Sequence, residues 1–301
     1  MRLPELVAAA PFVAASLRFS VPYVLAALGG TFSERAGVVN LALEGLLLGG
    51  AFAATLGAWF ADRAWAGVLA GGLSGMLLMA LYALFVLRLG ADQIVTGVAL
   101  NLFVDGLSRF FLKSVFDSSA NSPRIDAWGT TTGSLADTVK EPLVLGTIVL
   151  VALGVVVMNR MRFGLRIRAV GDVPAAAASL GVSPLRVRAG ALLVCGVVVG
   201  LGGAWLAADQ RQFVAGMSRG RGYIALAAMI FGGWRPLWGV AAALFFGVAA
   251  TVQNTMQAHG TVVPDWAVQM MPYVLTLIAL LVAGRRNRAP TALGRPWSSG
   301  Q

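Results

Sequence analysis

Three sets of polar side chains stand in or beside apolar runs of this chain. Asn40 and Glu44 are four residues apart, a spacing that puts two side chains on one face of a helix. Asn101, Asp105 and Arg109 repeat that spacing, so Asp105 can pair with Arg109. Glu34 and Arg35 precede the first set and can pair with each other at a helix mouth. A charge at membrane depth costs roughly 2.5–3.5 kcal/mol on insertion scales, so such residues face a bundle interior or a water-filled route. Two roles fit them: lining the path of a polar solute, or hydrogen bonds that fix helix packing. Their small number favours packing, and no ladder of acids and histidines suggests a proton relay.

Other chemistries are excluded by counting. His259 is the only histidine, so H-E-x-x-H and multi-histidine metal sites are impossible, and no metal is expected. The stretch "GLSG" (Gly72–Gly75) looks like an intramembrane serine nucleophile. It would need a base, and a chance match is expected in so glycine-rich a chain. Neither lysine, Lys113 or Lys140, follows a glycine. There is thus no G-x-x-x-x-G-K-[ST] phosphate loop, and any ATP must bind another subunit. Cys195 is a lone cysteine in an apolar run, which gives no disulfide and reads as a small core residue.

The elements that hold these residues must be membrane spans. The chain is 58% hydrophobic and only 12% charged, with mean hydropathy +0.78, against about 25% charged in soluble domains. Apolar runs of about 15–24 residues, most of them long enough to cross roughly 30 Å of hydrocarbon, punctuate the chain. They lie at Val38–Phe60, Ala64–Leu87, Asp92–Leu112, Leu143–Met158, Ala189–Ala208, Trp238–Val252 and Ala267–Ala283. A shorter first stretch, Val21–Phe32, has Pro22 near its start and follows a short or interfacial N-terminal segment. Residues 113–141, rich in Ser, Thr, Asn and Gly, form a loop outside the membrane. Small residues at four-residue spacing, such as Gly67, Gly71 and Gly75, or Gly196 and Gly200, suit close helix contacts. No internal repeat stands out.

Arginines orient the bundle. Arg160, Arg162, Arg166, Arg168, Arg186 and Arg188 put 159–188 in the cytoplasm, and Arg285, Arg286, Arg288 and Arg295 put the tail 285–301 there too. They do not form a nucleic-acid-binding stripe. Parity then requires the short run Tyr223–Phe231 to cross as well, and eight to ten crossings are expected. It also places Glu34 and Arg35 inside, where Glu34 favours the N-terminus of the 38–60 span, and Asn40 and Glu44 near the inner mouth.

Within 159–188, Asp172 can cap a helix whose first turn holds Pro174, and Gly181 can end it. Ala175, Ala176, Ala177, Ala178 and Leu180 lie between. A short, smooth helix outside the bilayer suits a groove on another protein. Interfacial helices instead carry Trp, Phe and Leu on the buried side.

Three stretches, "FSERAGVVNLALEGLLLGGAFAA", "GLRIRAVGDVPAAAASLGVSPLRVRAGALLVCGVVVGLGGAWLA" and "GRGYIALAAMIFGGWRPLWGVAAALFFG", occur in this order. They resemble permease subunits of bacterial ABC importers, in the branch shared by ribose-type and branched-chain amino-acid permeases. The form "SERAGVVNLALEG" is most similar to the shorter permease of nucleoside systems that use basic-membrane-protein lipoproteins as receptors. The resemblance covers about residues 18–284. It implies an all-α, type II importer-like bundle in the inner membrane, with no enzyme activity and no cofactor of its own. It also implies a second permease, the same or a sibling, two ATPase subunits carrying ATP and Mg, and an extracytoplasmic substrate-binding protein. The coupling helix to the ATPase maps onto Ala175–Gly181, with Asp172 and Pro174 at its start. In this branch the receptor does most of the substrate selection, so a simple sugar or another small solute is the alternative cargo. An ion-coupled secondary transporter is the alternative of another class; it would show inverted repeats and ion-binding acids.

Overall fold

Arg18 and Pro22 should interrupt a first span, yet Ala10–Arg35 is one 26-residue helix, α1. This computed structural model describes residues 10–128, 135–258 and 289–297, with single positions 270, 274, 277 and 281. Within it, two compensations explain the continuity. Proline has no N–H for the carbonyl four residues back; that carbonyl, on Arg18, accepts instead from Trp205 Nε1 at 3.1 Å. Arg18 itself pairs with Asp209 at 2.6 Å. Local sequence therefore starts the span at Val21, and contacts from far along the chain carry the helix unbroken through Arg18 and Pro22. Trp205→Phe is expected to orphan the Arg18 carbonyl and lower stability by about 1–3 kcal/mol. Thermal unfolding of the purified, detergent-solubilised chain checks this, and an unchanged transition would contradict it.

The remaining helices are α2 (Leu43–Ala61), α3 (Ala64–Ala83, extended by a π-helical turn Leu84–Arg88), α4 (Gln93–Phe116), α5 (Leu135–Lys140), α6 (Pro142–Arg160), α7 (Arg162–Asp172), α8 (Pro174–Ser179), α9 (Pro184–Gln210), α10 (Arg221–Phe231) and α11 (Pro236–Ala258). Seven of the described helices are long and apolar enough to span a membrane: α1, α2, α3 with its π turn, α4, α6, α9 and α11. The expected span Ala267–Ala283 lies almost wholly outside the described residues, as does His259. The expected loop 113–141 begins later, after α4 ends at Phe116, and contains α5.

The short crossing expected at Tyr223–Phe231 is α10. Its 11 residues rise only about 16 Å, too little for a full span. Non-helical residues 211–220 supply the rest. Val214 bridges to Asn121 in the outer loop, while Trp234, beyond the other end of α10, reaches Glu34.

Unlike the sequence, the structure contains a repetition. α1 and α9 run antiparallel: Arg18 meets Asp209, Leu25 faces Gly202 and Gly29 faces Val199. Each is followed by a non-helical stretch (36–42 and 211–220), a helix (α2 and α10), a tight turn with a left-handed residue (Asp62 and Trp234) and a further helix (α3 and α11). α3 packs on α9 as α11 packs on α1. Echoes such as "LGGTF" (28–32) with "LGGAW" (201–205) mark the two halves. The opposed directions make this an inverted repeat, an arrangement that gathers broken helices at the interface of the halves. Because α10 is much shorter than α2, the halves fall out of step in sequence.

Glycines set the closest approaches between those halves. A Cβ on Gly75 of α3 would overlap the Gly196 backbone of α9, and one on Gly71 would press on Gly50 and Gly200. The four-residue glycine spacing thus serves packing, as expected. Ser74 belongs to the same contact, its hydroxyl donating to Gly49 O at 3.3 Å.

Candidate functional site

The two broken stretches, 36–42 and 211–220, are joined to the helices around them by polar side chains. Non-helical backbone at membrane depth is tolerated only where protein or a water-filled cavity satisfies it. Around the first break, Gln93 Oε1 accepts from Val39 N at 2.8 Å, and the Tyr82 hydroxyl donates to Val39 O at 2.6 Å. Asn40 is wholly buried; its Oδ1 accepts from Ala42 N at 3.0 Å, and its Nδ2 lies 3.3 Å from Cys195 Sγ. Asn40 therefore does not share a helix face with Glu44. It precedes α2, inside a turn that its own side chain stabilises, and packs inward rather than lining a route.

Glu34 and Arg35 also differ from expectation. They end α1 instead of opening the 38–60 span, and no ion pair joins them. Glu34 is buried, and its Oε2 accepts from Trp234 Nε1 at 2.6 Å. The carboxyl thus ties the end of α1 to the turn between α10 and α11. Arg35 is half-buried.

Glu44 is the centre of the site. It sits in the first turn of α2, and its carboxylate accepts from Gly220 N at 2.7 Å and Gly222 N at 2.8 Å. Those are orphan N–H groups at the start of α10, where an anion is favoured by the helix dipole as well. Gly222 must be glycine, since a Cβ there would overlap the Glu44 backbone. Asn101 of α4 completes the joint. It accepts from Gly45 N at 2.8 Å and donates to Leu41 O at 2.9 Å and to the Tyr223 hydroxyl at 3.0 Å.

One turn further along α4, Asp105 and Arg109 form the ion pair their spacing predicts, at 3.0 Å. Arg109 lies opposite Gly216 of the second break. With the exposed Tyr223 and Arg219 they make a polar seam. Tyr223 and the two glycine amides were not among the residues that spacing singles out; the shortness of the "GRGYIALAAMIF" run was the available signal. A separate cavity of about 1060 Å³ opens between α3, α6 and α9, lined by Trp65, Trp128 and Trp205. None of the sequence-predicted residues lines it. At its edge burial pushes the Glu141 carboxyl above the ordinary range, with Arg18 nearby pulling the other way.

At the arginine-rich end, the stretch 159–188 is mostly helical rather than a loop. α7 runs through Asp172, so Asp172 ends one helix and does not cap the next; Val173 occupies the N-cap position of α8, without a side-chain bond. Pro174 opens α8. Gly181 ends it as expected, at φ +80, its N–H donating to Ala178 O while Val182 N donates to Ala177 O. Only Ala177 of α8 is buried. Ala175, Ala176 and Leu180 are exposed, Leu180 by 84%, and Ala178 is intermediate.

Span-length helices around two facing breaks, with a short helix presented at the basic end, define a multi-pass membrane permease domain. Residues 12–280 match the family described as branched-chain amino acid transport system / permease component. The guanosine ABC transporter permease protein NupQ of Bacillus subtilis (strain 168) is 34% identical, over 96% of this chain and 97% of its own. The nucleoside ABC transporter permease protein NupC of Lactococcus lactis subsp. cremoris (strain MG1363) is 35% identical, over 94% and 95%. An inward-facing structure of a metal-chelate-type ABC transporter superposes with TM-score 0.52 at 16% identity, over 92% of this chain and 88% of that one. At that identity the likeness concerns the fold alone. The chain belongs to the branched-chain amino acid transport system / permease component family. It is a multi-pass permease subunit of an ABC importer, in the cytoplasmic membrane.

Proposed function

We propose that this permease carries nucleosides and is driven by a separate ATPase. The observation behind this reading is near-full-length similarity to permeases named for guanosine and for nucleosides. ATP and Mg would sit on ATPase subunits, and α8, with Asp172, Leu180 and Gly181 at its flanks, would be their coupling helix. A second permease, identical or a sibling, would cover the exposed face of α4, and an extracytoplasmic binding protein would deliver the solute. Charges exposed within a span need water or another subunit beside them, which supports the Asp105–Arg109–Tyr223 seam as part of the route. Its carboxylate, guanidinium and hydroxyl offer donors and acceptors to a ribose, and the Tyr223 ring offers a face to a base.

Proteoliposomes holding the permease pair, ATPase and receptor are expected to accumulate radiolabelled guanosine only with ATP on the ATPase side. Uptake by this chain alone on an ion gradient would mark a secondary carrier. Competition by free ribose but by no nucleoside would mark a sugar permease.

A further inference from the structure

Arg188 belongs by sequence to a solvated basic loop, yet it is 1% exposed, in the second turn of α9. Its Nε donates to Ala36 O at 3.1 Å, and its Nη1 to Arg295 O at 3.0 Å. Among the described residues it has no acidic partner within ion-pair distance. Its side chain instead links the first break to the segment 289–297. That segment makes three further bonds. Ala292 N donates to Gly171 O at 2.9 Å, the Thr291 hydroxyl to Asp172 O at 2.7 Å, and Gly294 N to Gly37 O at 3.2 Å. Gly294, at φ +77, turns the chain so that Arg295 O meets Arg188. Pro290 and Ala292 are buried beneath.

These contacts surround α8 on both sides. Gly171 and Asp172 end the helix before it, and Arg188 lies in the helix after it. α8 has six residues, with one of them buried, so it has little hold on the bundle except through its flanks. The preceding flank packs directly on α1, since a Cβ on Gly171 would overlap the Arg35 backbone. We propose that Arg188 and Ala289–Trp297 form a tether that carries displacement of α8 to the break at 36–42. From there the Glu34–Trp234 and Glu44–α10 joints extend the linkage to the second break. Arg188 acts as a positioning residue; it touches no solute. The inference rests on the reading of α8 as the helix an ATPase engages.

The test uses the reconstituted complex of permease pair, ATPase and receptor, measuring guanosine uptake and ATP hydrolysis in the same vesicles. Three variants weaken the tether: truncation after Arg288, Ala292→Pro, which removes the N–H that Gly171 O accepts, and Arg188→Gln. In each, uptake per ATP is expected to fall about tenfold, within the range of coupling between two sites, while the subunits still co-purify. Arg188→Lys keeps the charge and a donor and should fall between. If the truncated chain fails to accumulate, Ala292→Pro decides, since it deletes one donor only. An unchanged uptake-to-ATP ratio overturns the tether. So does loss of the ATPase from the truncated complex, which would make the segment a docking element. Absence of ATP-driven uptake in the native complex removes the importer reading, and the tether with it.

Discussion

Glu44→Leu is expected to cut uptake about a hundredfold while the protein still inserts and assembles. Among the described residues the carboxylate is the one side-chain acceptor for Gly220 N and Gly222 N, at 2.7 and 2.8 Å. Hydrogen bonds to a charged group contribute about 1.5–3 kcal/mol each. Losing the pair at the lower end costs about 3 kcal/mol, and 1.36 kcal/mol is a factor of ten. The loss falls on the position of α10 rather than on insertion, because leucine makes α2 more apolar and Asn101 still holds Gly45 and Tyr223. Glu44→Gln keeps one carbonyl acceptor and should lie between the two. Uptake in proteoliposomes, normalised to monodisperse protein, measures the effect. Native-like uptake by Glu44→Leu would show that the start of α10 needs no anion.

The residues that sequence placed correctly depend on local rules. Asp105 and Arg109 pair because α4 is continuous through both. Gly181 ends α8 because the left-handed turn is cheapest for glycine. The spacing of Asn40 and Glu44 misleads because it assumes one helix. The turn closed by Asn40 Oδ1 on Ala42 N separates them, and an asparagine, whose side chain readily bonds its own backbone two residues on, was the legible hint. Asp172 fails as a cap for a similar reason, since α7 runs on to it from Arg162.

Long-range partners were not legible at all. Trp205 and Asp209 complete α1 from 187 and 191 residues away, and no window of sequence joins them. The inverted repeat matters for classification. Its apparent absence argued against a secondary carrier, and that argument falls once α1–α3 and α9–α11 are compared. Membership in the ABC permease family carries the distinction instead. Shared architecture alone could not, because function resides in sites rather than folds.

Trp234→Phe should reveal whether the end of α1 and the turn between α10 and α11 move as one body. Trp234 Nε1 donates to Glu34 Oε2 at 2.6 Å, and the two residues are 6% and 3% exposed. Phenylalanine keeps most of the ring's packing but removes the donor. The carboxyl is then left with Asn40 N at 3.4 Å, a weak contact. A buried acceptor without its donor costs about 1–3 kcal/mol, so uptake is expected to fall about tenfold or more, at 1.36 kcal/mol per factor of ten. Glu34→Gln retains a carbonyl that can accept from the indole and should be milder. Glu34→Leu with Trp234→Phe removes both partners, so its penalty should be smaller than the sum of the single changes. A double-mutant cycle on thermal unfolding should return a coupling of about 1–3 kcal/mol. Strictly additive penalties would mean that the end of α1 and the turn between α10 and α11 respond independently. In that case the movement of one half of the repeat could not reach the other through Glu34.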